Sequence, residues 1–179
     1  MSGLRRIFIA VNLPEEIKKQ IYEKLSGKIP QEKCKVVGMQ NLHITMKFLG
    51  YITNENLNEV QEKMRVLENT DAFNALISGI GDFNARVIWI GVAEGNEELQ
   101  RISAILDDAL NLHDERFHAH ITLARNKAPG RREVDEVLGK LKAENYSAGI
   151  KVESIDIMES NLRREGSEYS VVKRIALKS

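Results

Sequence analysis

Two tetrapeptides of one pattern, His43-Ile44-Thr45-Met46 and His120-Ile121-Thr122-Leu123, occur once in each half of the 179-residue chain. On a β-strand, the histidine and threonine of each copy point to one face and the two apolar residues point to the other. Imidazoles titrate near neutral pH, so a pair of them can move protons on either side of a phosphate held by two threonine hydroxyls. The duplicated motif therefore predicts acid–base chemistry on a phosphoester.

Opening a ribose 2′,3′-cyclic phosphate with water suits this set of side chains. The reaction needs a base for the nucleophile and an acid for the departing oxygen, on opposite sides of phosphorus. One histidine can be neutral while the other is protonated, and each placed proton donor or acceptor typically contributes about 10²- to 10⁴-fold. Thr45 and Thr122 would donate hydrogen bonds to the non-bridging oxygens. We expect no metal and no other cofactor.

Two cations are candidates for stabilising charge in the transition state. Arg125 follows His120 by five positions, and strict alternation places its side chain on the wrong face unless the strand kinks or ends there. Lys47 shares the predicted face of His43 and Thr45. A solvated lysine at the end of a strand is the alternative interpretation of Lys47.

Other side chains leave alternatives open. His118 and His120 have a spacing that can chelate a metal, but no cysteine and no acidic residue of clear parity completes a usual ligand set. Cys34 is the single cysteine, which excludes an internal disulfide and fits a reducing cytoplasm. The dipeptides Arg131-Arg132 and Arg163-Arg164 are candidate RNA-binding surfaces or simply solvated charges.

The composition is that of a soluble globular protein. Hydrophobic residues make up 42% of the chain, and 26 basic residues balance 26 acidic ones. With zero net charge, no overall field would attract nucleic acid or an anionic membrane, so any anion site must be local. The apolar run at residues 7–11 is too short for a signal-peptide core or a membrane span. We expect a cytoplasmic monomer without membrane contact.

Periodicity predicts the elements that must position the motifs. Predicted strands cover residues 4–12, 35–37, 42–49, 73–83, 86–92, 119–125, 150–158 and 169–177. Predicted helices cover residues 15–25, 54–67 and 97–112, and a fourth follows Pro129. The first motif strand should end at Gly50, and Asn54 is available as a helix N-cap. Because similar elements occur in the same order twice, with hairpin-like connections, antiparallel sheets are favoured.

On these residues the chain resembles the 2H phosphoesterases, and among them the RNA 2′,3′-cyclic phosphodiesterases, also called the bacterial and archaeal 2′-5′ RNA ligase group. The resemblance covers nearly the whole chain. Besides both motifs in their contexts, it includes Arg6-Ile7-Phe8-Ile9-Ala10, Leu13-Pro14, Glu159-Ser160-Asn161-Leu162, Gly166 and Tyr169. Two positions depart from the usual pattern: Met46 replaces a common leucine, and Ala119 stands where a proline often precedes the second histidine.

The resemblance implies an α+β fold that is bilobal with pseudo-twofold symmetry, with two antiparallel β-sheets lining a central cleft and helices outside. It implies one domain over residues 1–179, made of two intertwined lobes that each contribute a His-x-Thr strand. The implied reaction is hydrolysis of an RNA-terminal 2′,3′-cyclic phosphate to a 2′-phosphomonoester, with reversible 2′-5′ ligation as a further activity. RNA ends, tRNA fragments among them, are the expected partners.

The resemblance also implies a role for each site residue. His43 would be the proton donor to the leaving 3′ oxygen, and His120 the proton acceptor that activates water. Thr45, Thr122 and Arg125 would bind the phosphate. Sequence symmetry alone does not decide which histidine is the acid.

Other functions fit the same residues. A phosphodiesterase could act on a small cyclic nucleotide or an ADP-ribose cyclic phosphate, and two histidines could also cleave intact RNA by activating its 2′ hydroxyl. A non-catalytic RNA-end-binding module would use the histidines only to hold phosphate. Both motifs could also serve only as structural hydrogen-bonding residues in a duplicated fold.

Overall fold

The structure is a computed structural model that describes residues 3–113, 116–127 and 130–179. Within these ranges the chain forms nine β-strands and four α-helices. The strands are β1 (Arg5–Asn12), β2 (Cys34–Val36), β3 (His43–Ile52), β4 (Phe73–Phe83), β5 (Val87–Glu94), β6 (His120–Asn126), β7 (Ser147–Val152), β8 (Ser154–Arg163) and β9 (Gly166–Ala176). The helices are α1 (Glu15–Lys24), α2 (Asn54–Lys63), α3 (Asn96–Leu110) and α4 (Arg131–Ala143). None of these helices combines the length and hydropathy needed to cross a membrane.

The described strands form one antiparallel sheet in the order β7-β4-β5-β6-β3-β1-β8-β9, with β2 paired to β6. The motif strands β3 and β6 lie at its centre and join through one residue pair, Ile44 opposite Ile121. On each side of this seam three further strands follow, which gives the predicted pseudo-twofold arrangement. The α+β class is confirmed, and the two predicted sheets are fused at the seam into one.

The two faces of the sheet differ, as β1 illustrates. Ile7, Ile9 and Val11 belong to the main hydrophobic core, which we call the core face. Phe8 and Ala10 belong to a small separate cluster on the opposite side, which we call the cleft face. The core face is covered by helices that contribute buried residues such as Ile21, Leu57, Ile102 and Leu138. Each fully buried aliphatic side chain stabilises the fold by about 1.5–3 kcal/mol.

The start of α2 differs from the prediction that Asn54 caps it. Thr53 is the N-cap, because its backbone is still extended and its hydroxyl accepts a hydrogen bond from the Asn56 N–H at 3.2 Å. Asn54 is already the first helical residue. The predicted helical span continues beyond Lys63 as a 3₁₀ turn over Met64–Asn69. The Pro129 predicted to precede the fourth helix lies outside the described residues.

A single predicted strand over residues 150–158 is wrong, because the chain changes partners inside it. β7 pairs with β4, and β8 pairs with β1 on the far side of the seam. Only Glu153 separates β7 from β8. Since β7 is one edge of the sheet and β8 lies next to the other edge, the sheet must curl to bring them together. The break has no glycine or proline to mark it in the sequence.

β-Bulges interrupt the alternation of both motif strands. In β3, Ala10 and Ile9 of β1 lie opposite Thr45 and Lys47, so Met46 is an extra residue. A second register shift leaves Leu49 as another extra residue between Phe48 and Gly50. In β6, Trp89 and Ile88 of β5 lie opposite Thr122 and Ala124, so Leu123 is the extra residue. Each motif strand therefore carries a bulge directly after its threonine, and the side chains that follow it lie on the opposite face from the one that strict alternation assigns. In β3 the second bulge restores the original parity from Gly50 onward.

Gly50 does not end β3, contrary to the prediction. The strand continues to Ile52. Gly50 has φ +72, in the left-handed region that glycine adopts without strain. The glycine thus accommodates the bulged segment and lets pairing with β1 continue.

Candidate active site

A cavity of about 490 Å³ opens on the cleft face at the seam. Both motifs and the predicted arginine line it through His43, Thr45, His120, Thr122 and Arg125. Its size lies in the range of small-ligand pockets, about 300–1,000 Å³. The structure therefore brings together the five residues predicted to form the site.

Arg125 lies on the face that strict alternation excluded, and the bulge at Leu123 is the reason. The extra residue shifts the parity of β6, so the third residue after Thr122 returns to the cleft face. Val87, directly opposite Arg125 on β5, also lines the cavity. The strand thus needs neither to end nor to leave the sheet for the guanidinium to face the cavity.

Lys47 is not in the site, so that candidate is wrong. The bulge at Met46 turns its side chain to the core face, where it is 3% exposed. Its Nζ lies 2.8 Å from Oδ2 and 2.7 Å from Oδ1 of Asp107 in α3. Phe48 takes the cleft position instead and lines the cavity. Phe48 and Arg125 therefore occupy equivalent places, each the third residue after its threonine.

Main-chain carbonyls fix the tautomer of both histidines. Nδ1 of His43 lies 2.7 Å from the carbonyl oxygen of Asn41, and Nδ1 of His120 lies 2.6 Å from that of His118. A carbonyl can only accept, so each Nδ1–H donates. In the neutral imidazole, Nε2 is then the unprotonated nitrogen.

The two Nε2 atoms have different surroundings. Nε2 of His43 lies 2.8 Å from Oγ1 of Thr45, whose hydroxyl donates to it when the ring is neutral. Among the described residues, none forms a hydrogen bond with Nε2 of His120. The lone pair of His120 is thus open to accept a proton from a molecule in the cavity.

Aromatic rings flank each imidazole, and the sequence analysis assigned none of them to the site. His43 lies 5.1 Å from Phe8 and 5.4 Å from Tyr169 between ring centroids. His120 lies 4.9 Å from Phe83, in an edge-to-face arrangement at 90°. Phe8 and Tyr169 appeared only within the segments that carry the family resemblance. No spacing rule points to them, because they come from strands distant in sequence.

Burial shifts the pKa of both histidines in the same direction. It lowers the pKa of His43 from 6.5 to about 4, and the hydrogen bond to the Asn41 carbonyl offsets this only in part. Burial also lowers the pKa of His120 below 6.5, and electrostatic interaction with the neighbouring His118 and Arg125 acts in the same direction. Both imidazoles are therefore neutral near pH 7 in the free protein.

Residues 13–164 match the family model described as the 2′-5′ RNA ligase superfamily. The chain belongs to this superfamily.

Individual members of the superfamily resemble the chain over nearly their full length. An RNA 2′,3′-cyclic phosphodiesterase of Archaeoglobus fulgidus is 30% identical over 174 residues, covering 92% of this chain and 96% of the relative. The protein of the same name from Escherichia coli is 25% identical, covering 99% of both. The crystal structure of E. coli LigT complexed with phosphate superposes with a TM-score of 0.79 at 26% identity, covering 99% of this chain and 100% of that one. The resemblance seen in the motifs is confirmed, and with it the expectation of an enzyme.

In this superfamily member, His118 contacts the site through its main chain. Its exposed ring lies against Trp89 at 4.7 Å and Phe83 at 5.3 Å between centroids, while its carbonyl holds His120. Within the described ranges, no group of three or more His, Cys, Asp or Glu side chains could hold a metal ion. His118 and His120 thus lack a third ligand there.

At least one arginine of each basic dipeptide considered for RNA binding has a local acidic partner. Arg131 bonds to Asp82 at 2.8 Å and to Asp135 at 2.8 Å. Arg163 bonds to Glu168 at 3.0 Å. These positive charges are therefore offset by neighbouring carboxylates, unlike that of Arg125, which forms no ion pair with any described residue.

Proposed function

We propose that this superfamily member hydrolyses the 2′,3′-cyclic phosphate at the end of an RNA to a 2′-phosphomonoester without a metal. The observation that carries the proposal is the single cavity lined by both His-x-Thr motifs and Arg125. The relatives named RNA 2′,3′-cyclic phosphodiesterase support the choice of substrate. We further propose that residues 1–179 act as one domain and as a monomer, on cytoplasmic RNA ends that include tRNA fragments.

In the proposed reaction, Nε2 of His120 accepts a proton and Nε2 of His43 donates one. The oxygen of a water molecule attacks phosphorus in line with the bond to the 3′ oxygen, and Nε2 of His120 takes the proton from that water. The bond to the 3′ oxygen breaks, and protonated His43 gives its Nε2 proton to that oxygen. Thr45 and Thr122 hydroxyls donate to the non-bridging oxygens, and Arg125 offsets their charge.

The two walls of the cavity support His43 as the acid. The leaving oxygen belongs to the ribose, so the nucleoside must lie on the same side as the acid. The wall beside His43 carries the exposed ring of Phe48, on which a base can stack, whereas the equivalent position beside His120 is Arg125. Water would approach from the His120 side, where no described residue forms a hydrogen bond with Nε2.

Binding of substrate would also charge the acid. In the free protein the buried ring of His43 is neutral near pH 7. A phosphate anion next to it favours the imidazolium and raises the pKa. His43 would thus acquire its proton when a substrate is present, and His120 can keep its lone pair if its Nε2 faces the water.

The test is turnover of a short RNA ending in a 2′,3′-cyclic phosphate in the presence of EDTA, with phosphorus NMR to identify the product. A 2′-phosphomonoester supports the proposal, and a 3′-phosphomonoester contradicts the assigned leaving group. Turnover of a cyclic nucleotide or an ADP-ribose cyclic phosphate, but not of the RNA, would favour those substrates. Cleavage of internal RNA bonds or binding without turnover would favour the other two alternatives.

The pH dependence should follow the lowered pKa values of both histidines. Because kcat/KM reports the free enzyme, its maximum is expected on the acid side of 6.5, the ordinary histidine value. The maximum of kcat is expected at higher pH, because the bound phosphate raises the pKa of a histidine beside it. Steady-state kinetics across the pH range measures both profiles. A kcat/KM maximum above neutral pH would contradict the expected shift.

Arg125→Gln should weaken catalysis but not abolish it. The variant loses a charged hydrogen-bond donor to the phosphate, worth about 1.5–3 kcal/mol, or roughly 10- to 100-fold in kcat/KM. Arg125→Lys should recover only part of this loss, because an ammonium cannot donate in the forked geometry of a guanidinium. An Arg125→Gln variant with wild-type kcat/KM would show that Arg125 does not bind the phosphate.

The same geometry supports ligation as a second activity. A 5′-hydroxyl RNA end in place of water would attack phosphorus, give its proton to His120 and expel the 3′ oxygen, which leaves a 2′-5′ phosphodiester. The reverse of this reaction regenerates the cyclic phosphate with the two histidines exchanging roles. Incubation of a cyclic-phosphate RNA with a 5′-hydroxyl RNA tests this directly.

A further inference from the structure

Three side chains extend the cleft face of β1 and β3 beyond the active site. Phe8 lies opposite Phe48, and Arg6 lies opposite Tyr51. Directly opposite residues point to the same face, and Phe8 belongs to the cleft-face cluster. Arg6, Phe48 and Tyr51 therefore share the face of His43. We call these three residues the outer patch.

The two bulges of β3 create the outer patch. Strict alternation from Thr45 would turn Phe48 to the core face. Instead, the bulges at Met46 and Leu49 place Thr45, Phe48 and Tyr51 on the cleft face at intervals of three residues. Leu49, in contrast, packs against the main core.

The aromatic rings of the outer patch are open to solvent. Phe48 is 72% exposed and Tyr51 is 59% exposed. Large apolar side chains that form an exposed patch with a polar rim mark interaction surfaces more often than isolated ones do. The active-site cavity reaches this patch, because Arg6, Phe48 and Gly50 line it together with His43. A ligand in the active site can therefore contact Arg6 and Phe48 without leaving the cavity, and Tyr51 lies opposite Arg6 on the same face.

The charge of Arg6 points to an anionic ligand. The neighbouring Arg5, on the opposite face of β1, is bound to Glu159 at 2.7 Å. Arg6 is exposed, and within the described part of the chain it forms neither an ion pair nor a side-chain hydrogen bond. Because the whole protein has zero net charge, attraction of an anion to this face depends on such local cations.

The spacing of the rings fits successive bases of an extended strand. Phe8 and Arg6, the partners of Phe48 and Tyr51, are two residues apart on β1, which is about 7 Å along a strand. That is roughly twice the 3.4 Å step between stacked bases in a helix. Each ring can thus take one unstacked base, and aromatic platforms next to cations are the usual means of binding single-stranded nucleic acid.

We propose that the outer patch binds the two terminal nucleotides of a single-stranded RNA substrate. Phe48 stacks on the base of the terminal nucleotide, whose ribose carries the cyclic phosphate; Tyr51 stacks on the base of the preceding nucleotide, and Arg6 contacts the phosphate between the two nucleotides. This inference rests on the proposed function and adds to it that an oligonucleotide is preferred over a mononucleotide.

The test compares two substrates, adenosine 2′,3′-cyclic phosphate and a trinucleotide ending in the same group. For wild type, KM should be lower with the trinucleotide. Tyr51→Ala should raise KM for the trinucleotide about tenfold relative to KM for the mononucleotide, the cost of one lost stacking contact. Tyr51→Phe should behave as wild type, because it keeps the ring.

Arg6→Gln tests the phosphate contact separately. It should raise KM for the trinucleotide and reduce the slope of log KM against log salt by about 0.7, the value for one phosphate contact to a single strand. Arg132→Gln, on α4, removes an exposed arginine outside the cavity and should change neither quantity.

The outcomes separate this inference from the proposed function. If wild type hydrolyses both substrates but Tyr51→Ala leaves the ratio of their KM values unchanged, the outer patch does not bind the RNA substrate. The same conclusion follows if Arg6→Gln leaves the salt slope unchanged. If wild type is inert toward both substrates, the proposed function itself fails, and this inference fails with it.

Discussion

Replacing either His43 or His120 with alanine is expected to lower kcat toward an RNA 2′,3′-cyclic phosphate by about 10²- to 10⁴-fold, the usual contribution of a placed proton donor or acceptor. Each histidine directs Nε2 into the cavity. The histidine of the other motif strand cannot take over its role, because the acid and the base act on opposite sides of phosphorus. The double variant should be far less impaired than the product of the single losses, because residues that act as a unit are not additive. Single-turnover kinetics with the trinucleotide measures the chemical step.

His113→Ala is the matched control for these variants. His113 is exposed and follows α3, and it does not line the cavity, so the substitution should leave kcat unchanged. Urea unfolding of all variants would show whether a loss of kcat reflects a loss of folded protein. A folded His43→Ala or His120→Ala enzyme that retains wild-type kcat would overturn the two-histidine mechanism. Loss of turnover with retained substrate binding is the result that the mechanism predicts.

Removing the carboxylate of Asp107 is expected to lower the free energy of unfolding by up to about 3–5 kcal/mol, the usual cost of breaking a buried ion pair. The Nζ of Lys47 lies 2.7 Å from that carboxylate and is almost fully buried. In Asp107→Ala the ammonium loses this charge partner while the core still surrounds it. Urea denaturation at neutral pH measures the change.

The double variant Lys47→Met with Asp107→Leu should recover most of that stability, because replacing both charges with apolar groups removes the cost of burying them. It should also keep wild-type kcat, since neither side chain faces the cavity. Lys63→Met is the control: it breaks the exposed pair with Glu59, and such helix pairs contribute only about 0.3–0.5 kcal/mol. An Asp107→Ala variant as stable as Lys63→Met would contradict the conclusion that Asp107 stabilises the buried ammonium of Lys47.

The sequence was sufficient to predict the motif strands and the residues that meet at the seam, because the duplicated His-x-Thr pattern combines a chemical signal with strand alternation. Strict alternation failed at Lys47 and Arg125 for one shared reason, although the family resemblance had assigned Arg125 to the site. A bulge inserts one residue without a distinctive residue type, and Met46 and Leu123 look like ordinary core positions. Alternation counted through a bulge assigns the following side chains to the wrong face, as far as the next bulge.

Long-range strand pairing explains the other features that the sequence did not predict, namely the boundary between β7 and β8 and the aromatic rings beside the histidines. The boundary at Glu153 exists because β7 and β8 have different partner strands, and local propensity contains no information on partners. Similarly, Tyr169 reaches His43 from the last strand, and Phe83 reaches His120 from β4. The rings that bury the imidazoles and lower their pKa could therefore not be found from spacing along the chain.

The carbonyls that hold Nδ1 of both histidines belong to the main chain, two residues before each ring. Any amino acid at positions 41 and 118 supplies the same oxygen, so the proton stays on Nδ1 whatever side chain stands there. The two side chains at these positions make contacts of their own: the Asn41 amide donates to the Ser167 carbonyl at 2.6 Å, and the His118 ring lies 4.7 Å from Trp89 between centroids. One residue thus does two separate jobs, and a substitution there would change the side-chain contact while leaving the tautomer of the neighbouring imidazole in place.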